Sequence, residues 1–170
     1  FEQELAGTAQ LQTAEAVELP DSTSAVIMNG FGVYRPNATA ANNEIATMLS
    51  NRGYQVNKQR VTVANLMSLG GPGALLLNTH GAAPDETSLG RPALWLDEEI
   101  SQSLADTYTA RGWNENDYMT MLSTHEDDPD TGESIAVEHF AVTDKFIANE
   151  VSLGSNSVVF SASCSSGVEP

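Results

Sequence analysis

The sequence predicts an α/β fold with a mainly parallel sheet flanked by helices. Two short apolar runs carry the prediction, Gly73-Ala74-Leu75-Leu76-Leu77-Asn78-Thr79-His80-Gly81 and Ser157-Val158-Val159-Phe160-Ser161-Ala162-Ser163-Cys164-Ser165-Ser166-Gly167. Runs of this kind, bounded by Gly, Ser and Asn, read as fully buried strands, most often in a parallel sheet. The third observation is a strand-helix-strand-helix-strand alternation through the first half of the chain, which implies right-handed crossovers. A chain of 170 residues that is 41% hydrophobic is sized for one domain with a real core.

Residues 1–20 are polar and rich in Ala, Glu and Gln, and close at Leu19-Pro20. They read as a linker or loosely attached segment, so the domain is expected over 21–170. The first strand is Ser24 to Gly30, followed by a loop to Pro36. Asn37 or Thr39 can cap a helix in which Ala41, Ile45, Met48 and Leu49 fall at helical spacing. Gly53 can stop that helix. Tyr54-Gln55-Val56 starts the second strand, with an interruption expected before Arg60-Val61-Thr62-Val63. A short helix over Ala64–Ser68 precedes Gly70-Gly71-Pro72-Gly73, which reads as a turn. It lacks the Gly-Lys-Ser/Thr ending of a phosphate loop and leads into a strand. The third strand is Ala74–Asn78.

After His80 comes an acidic loop, Ala83-Pro84-Asp85-Glu86-Thr87. A helix is expected from Asp97 to Arg111, with Asp97, Glu98 and Glu99 at its positive N-terminal end and Gly112 closing it. Tyr118–Ser123 and Ser134–His139 read as a hairpin around Asp127–Gly132. The second arm also fits a helix continuing to Asn149. Val158–Ala162 is expected as the fourth core strand.

The chain carries 7 Lys+Arg against 23 Asp+Glu, a net charge of −16. This argues against nucleic acid and against anionic membranes as partners. It fits a solubilising surface, or an acidic site that attracts basic substrates. No apolar stretch is long enough for a transmembrane helix, and Phe1-Glu2-Gln3-Glu4 does not read as a secretory signal. A start without Met is what a product cut from something longer would show. One cysteine allows no internal disulfide and no Cys-x-x-Cys metal pattern, and leaves the compartment open.

Parallel strands side by side end at one edge of the sheet, where open α/β folds build their sites. That edge would bring Cys164 near His80, a residue 84 positions earlier (164 − 80). Imidazole can convert a thiol into a nucleophile near neutral pH. The residues therefore point to a cysteine hydrolase with a Cys164–His80 dyad working by acyl transfer. A free cysteine is also often a small buried hydrophobe, and a loop histidine is often only structural. Asp85 or Glu86 could orient the His80 ring. Ser163 and Ser165 flank the thiol and could touch substrate or satisfy a turn. Serine is not the expected nucleophile, since no Gly-x-Ser-x-Gly elbow exists. His125 and His139 sit seven residues either side of Gly132, so a symmetric hairpin could join them beside Asp127, Asp128 and Asp130. Zinc or calcium could bind there. An exposed acidic turn is the plainer reading. No cofactor and no metal are expected at the dyad.

A strand ending in His80-Gly81, then one ending in Ala162-Ser163-Cys164-Ser165-Ser166-Gly167, resembles the caspase-like (clan CD) cysteine peptidases. The likeness spans roughly residues 22–170 in order of elements. The Cys-Ser-Ser-Gly stretch is most similar to separase and CHAT proteases. It departs from the Gln-Ala-Cys-x-Gly signature of caspases. The resemblance implies a three-layer caspase-like fold, present here as its N-terminal, His- and Cys-bearing part. It implies an endopeptidase acting through a thioester, with an oxyanion hole from the backbone N–H groups of Gly81 and Cys164. It also implies a protein or peptide substrate and activation by cutting near the site. The rest of the domain, or a second C-terminal chain, would lie beside the Cys-bearing strand. The alternatives are a catalytically silent caspase-like scaffold that binds proteins, and a flavodoxin-like binding domain with an incidental cysteine.

Overall fold

The structure is a computed structural model and describes residues 19–30, 36–114, 116–127 and 131–162. The fold is α/β, with two four-stranded sheets among the described residues. The first sheet is parallel, in the order β2-β1-β3-β8, from β1 (Ser24–Asn29), β2 (Gln55–Arg60), β3 (Ala74–Asn78) and β8 (Val158–Ser161). Helix α1 (Pro36–Asn51) crosses from β1 to β2, and α2 (Val63–Met67) from β2 to β3. Pro36 suits the first helical position, where a missing N–H costs nothing. Gly53, at φ 89°, ends the helix in a conformation that favours glycine. Thr62 caps α2 by accepting from the Asn65 N–H.

The second sheet is antiparallel and lies in sequence between β3 and β8. Its order is β4-β5-β7-β6, from β4 (Gly81–Ala82), β5 (Ala93–Glu99), β6 (Met119–Asp127) and β7 (Ser134–Thr143). Helix α3 (Gln102–Ala110) follows β5, and α4 (Asp144–Glu150) follows β7.

The main core fills the space between the two sheets. Val26, Met28, Leu75 and Leu77 supply one side; Leu96, Met119, Phe140 and Val142 supply the other, joined by Tyr108, Trp113 and Phe146. Tyr108 stands edge-on to Phe140, and Trp113 edge-on to Phe146, with centroids 5.2 Å apart in each pair. On the opposite face of the parallel sheet, Ala25 and Ile27 are buried and α1 packs over β1 and β2. Strand β1 is therefore buried on both faces, as its apolar run requires.

Three expectations are corrected. The helix expected from Asp97 is instead the end of β5, and α3 begins at Gln102 behind the Ser101 cap. Asp97 and Glu98 do not serve a helix end. Asp97 pairs with Arg60 at 2.6 Å, and Glu98 accepts from the Tyr108 hydroxyl at 2.6 Å and the Val63 N–H at 3.2 Å. The second strand is continuous through Arg60, with no interruption. Strand β8 is exposed rather than buried, with Phe160 at 69%. Among the described residues it is an edge strand, paired on one side with β3. Between the two readings of Ser134–His139, the hairpin is found, and its arm runs on to Thr143 before α4 begins.

Candidate functional site

The site lies where β3 leaves the parallel sheet. The Gly30 N–H donates to the Asn78 carbonyl at 2.8 Å, holding the ends of β1 and β3 together. A Cβ on Gly30 would collide with the Thr79 side chain, so glycine is what permits this approach. Thr79 is fully buried, and its hydroxyl donates to the Trp95 carbonyl at 2.8 Å. The Trp95 N–H in turn donates to the His80 carbonyl at 2.9 Å. Residues 79 and 80 are thus locked to β5 by two bonds in opposite directions.

His80 is half-buried, and its ring lies 5.4 Å from the Trp95 ring, tilted by 60°. The indole is 6% exposed and has His139 on another side, ring centroids 5.3 Å apart. The His139 Nδ1–H donates to the Leu96 carbonyl at 3.1 Å, which turns that imidazole into the second sheet. Trp95 therefore packs against both imidazoles. Gly81 is buried and opposite Leu94 in the ladder.

Asp85 and Glu86 lie in the 3-10 turn Pro84–Glu86. Glu86 accepts from the Ala83 N–H at 2.6 Å, so its carboxylate caps its own turn. Asp85 is exposed. Cys164, Ser163 and Ser165 lie outside the described residues, as do residues 1–18, Asp128 and Asp130. The ladder leading toward Cys164 is described. Leu77 pairs with Ser161, and the Ala162 N–H donates to the Leu77 carbonyl at 2.8 Å.

An apolar cleft of about 490 Å³ opens directly after His80. Gly81, Ala82, Ala93 and Leu94 form one wall, and Val142 and Ile147 form another. Among the described residues, Asp144 is the one charged residue lining it, and Arg91 donates to both of its carboxylate oxygens at 2.7 and 2.9 Å. The Asp144 carboxylate raises the Arg91 pKa from its ordinary value. A smaller polar pocket of about 180 Å³ lies between α1 and the ends of β1 and β2, beside Asn42 and Lys58. Behind the site, burial pushes the Tyr108 phenol well above its ordinary pKa, and the Glu98 carboxylate raises it further.

The two hairpin histidines are not cross-strand partners. The register pairs His125 with Ala136 and His139 with Leu122, three positions along the ladder (139 − 136). The turn is thus not centred on Gly132, and the symmetric pairing that would have joined the two histidines is not found, while Asp128 and Asp130 lie outside the described residues. Among the described residues, no group of three or more His, Cys, Asp or Glu could hold a metal. Again among the described residues, no helix is long and apolar enough to cross a membrane.

Sequence reasoning missed Thr79, Trp95 and the cleft. The signal for β5 is Ala93-Leu94-Trp95-Leu96, a strand-like run masked by the acids that follow it. The cleft has a fainter signature, alanines at 82, 83, 93 and 148 where larger residues would fill it. A scan against protein-family models, curated proteins and solved structures finds no match to this chain.

Proposed function

We propose that this chain is the His- and Cys-bearing part of a three-layer, caspase-like cysteine endopeptidase with the dyad His80–Cys164. The observation that supports it is the parallel register of β3 and β8. The pair Leu77–Ser161 lies three positions before His80 (80 − 77) and three before Cys164 (164 − 161). Neighbouring strands lie about 4.8 Å apart, so two chains leaving in step would carry imidazole and thiol to the same level of the sheet edge. The clamp on residues 79 and 80 adds support, because a catalytic histidine must be held in place.

The chemistry follows from these groups. The Cys164 thiol proton passes to His80, and the thiolate attacks the scissile carbonyl carbon. A C–S bond forms, and the oxyanion takes hydrogen bonds from the backbone N–H groups of Gly81 and Cys164. The C–N bond breaks as His80 returns the proton to the leaving amine. Water then attacks the thioester, gives its proton to His80, and expels the thiolate with release of the acid. Glu86, committed to Ala83, is not needed in this scheme.

The deciding experiment is labelling of Cys164 with iodoacetamide from pH 5 to 9, in wild type and His80→Ala. The proposal expects fast labelling well below pH 8, slowed at least tenfold by His80→Ala, as a roughly one-unit or larger loss of thiol acidity would do. An ordinary thiol profile indifferent to His80 would remove the dyad. The second reading, a catalytically silent scaffold for protein partners, is favoured by the exposed apolar edge of β8, where Val158, Val159 and Phe160 are 48%, 44% and 69% exposed. Such an edge can take up a partner's strand. Slow labelling together with strand-mediated association would select that reading.

A further inference from the structure

We infer that Trp95 is a positioning residue for His80, and that its ring favours the imidazolium form the dyad needs. This rests on the cysteine peptidase reading. Acyl transfer requires the histidine to hold a proton beside the thiolate and then deliver it to the leaving amine. The ring that does this must keep one orientation and keep its charge.

Strand alternation gathers the rings on one face. Trp95 lies opposite Ala141 in the ladder, and His139 opposite Leu122. These four residues share the face of the second sheet that points away from the main core. His80 turns its ring onto the same indole, centroids 5.4 Å apart. Backbone bonds on both sides of Trp95 fix that approach: its N–H donates to the His80 carbonyl, and its carbonyl accepts from the Thr79 hydroxyl. The indole is 6% exposed, and its own Nε1–H finds no partner among the described residues. Packing rather than a hydrogen bond therefore holds it. His139 supplies part of that packing from another side, its centroid 5.3 Å away and its Nδ1 anchored to the Leu96 carbonyl at 3.1 Å.

An aromatic ring within about 6 Å of a cation attracts it, tryptophan most strongly. Burial works the other way and favours the neutral imidazole. His80 is only half-buried, so water still reaches it and the attraction outweighs the loss. The ionisable groups on the elements packed here, among the described residues, are His139 on β7, Glu99 opposite it in the ladder, the Arg60–Asp97 pair between β2 and β5, and Asp85 and Glu86 in the turn after β4. None of them changes when the indole is replaced, so replacement isolates the ring.

The test reads the titration of His80 itself. Ring resonances of the three histidines are followed by NMR in the Cys164→Ser chain, alone and with Trp95→Phe or Trp95→Met. The expected result is a His80 midpoint about 0.5 pH unit lower in Trp95→Met and close to the parent in Trp95→Phe, the shift that a partly exposed cation–π contact supports. A merely structural role would lower stability in both replacements and leave the midpoint in place. Equal midpoints in all three chains overturn the assignment and leave the peptidase reading standing. Iodoacetamide labelling of the chain with its thiol runs in parallel. Labelling indifferent to His80→Ala overturns the peptidase reading, and the inference with it, even where the midpoint shifts. If neither replacement folds, the Cys164→Ser chain still decides the matter. Its Trp95 indole N–H resonance should titrate with the His80 midpoint, and a resonance that follows His139 alone, or neither, overturns the inference.

Discussion

At the scale of single residues, Thr79 and Gly30 fix the backbone that carries the candidate base. Thr79→Val keeps the shape and removes the donor to the buried Trp95 carbonyl. It should cost about 1–2 kcal/mol in urea unfolding, the penalty for a hydrogen bond broken at one end. Gly30→Ala should cost more, because the added methyl must displace Thr79 itself. If the peptidase reading holds, both variants should also lower the Cys164 labelling rate near pH 7. Unchanged stability in Thr79→Val would show that the clamp contributes nothing. None of this was legible in the sequence. Thr79 looks like any residue at a strand exit, and its partner comes from a strand sixteen positions later (95 − 79). His80-Gly81 was legible, because a reactive residue after an apolar run is a local pattern.

At the scale of elements, β8 is the most exposed of the strands in the parallel sheet. It pairs with β3 on one side and presents Phe160 at 69% exposure. Unprotected apolar edges associate. The wild-type chain of residues 1–170 should therefore self-associate in sedimentation at high concentration, and Phe160→Lys should shift it toward monomer. Monomeric wild type under those conditions would mean that the edge is covered. The β5–α3 boundary shows why local patterning misled. Ile100 and Leu104 are spaced as on a helix, and both pack on the core, yet only Leu104 lies in α3. Asp97 and Glu98 are ordinary helix-start acids by type. Partners from other elements, Arg60 and Tyr108, hold them in a strand instead. The hairpin existed in the sequence as alternation and turn residues. Its register did not, because a three-residue shift in cross-strand pairing leaves the composition of both arms unchanged.

At the scale of the whole molecule, charge and burial set the response to salt and pH. A net charge of −16 on 170 residues penalises the compact state by self-repulsion. The Debye length shrinks from about 30 Å at 0.01 M salt to about 10 Å at 0.1 M, so Tm should rise with added NaCl. A flat or falling Tm would mean that the acids are spaced too widely to interact. Tyr108 gives the alkaline limb. Its folded pKa is raised by burial and by Glu98, so the folded state holds the phenolic proton longer than the unfolded chain. That contribution is whole below the unfolded value near 10 and is lost as pH rises above it. Wild type should therefore lose stability above pH 10 more steeply than Tyr108→Phe. Equal slopes would assign the alkaline limb to other groups.

Local patterning along the chain specifies the α/β class, the β1–α1–β2–α2–β3 order and the position of β8, because each depends on periodicity and turn residues within one short segment. It also singled out His80 and Cys164 by residue type and place. The second, antiparallel sheet between β3 and β8 emerges only when distant segments pack. The same is true of the clamp between Trp95 and residues 79–80, and of the cleft opening at Gly81. The physical reason is common to all three. Strand pairing, buried hydrogen bonds and cavities depend on which distant segments meet, and local free energies differ too little between helix, strand and loop to reveal that in advance.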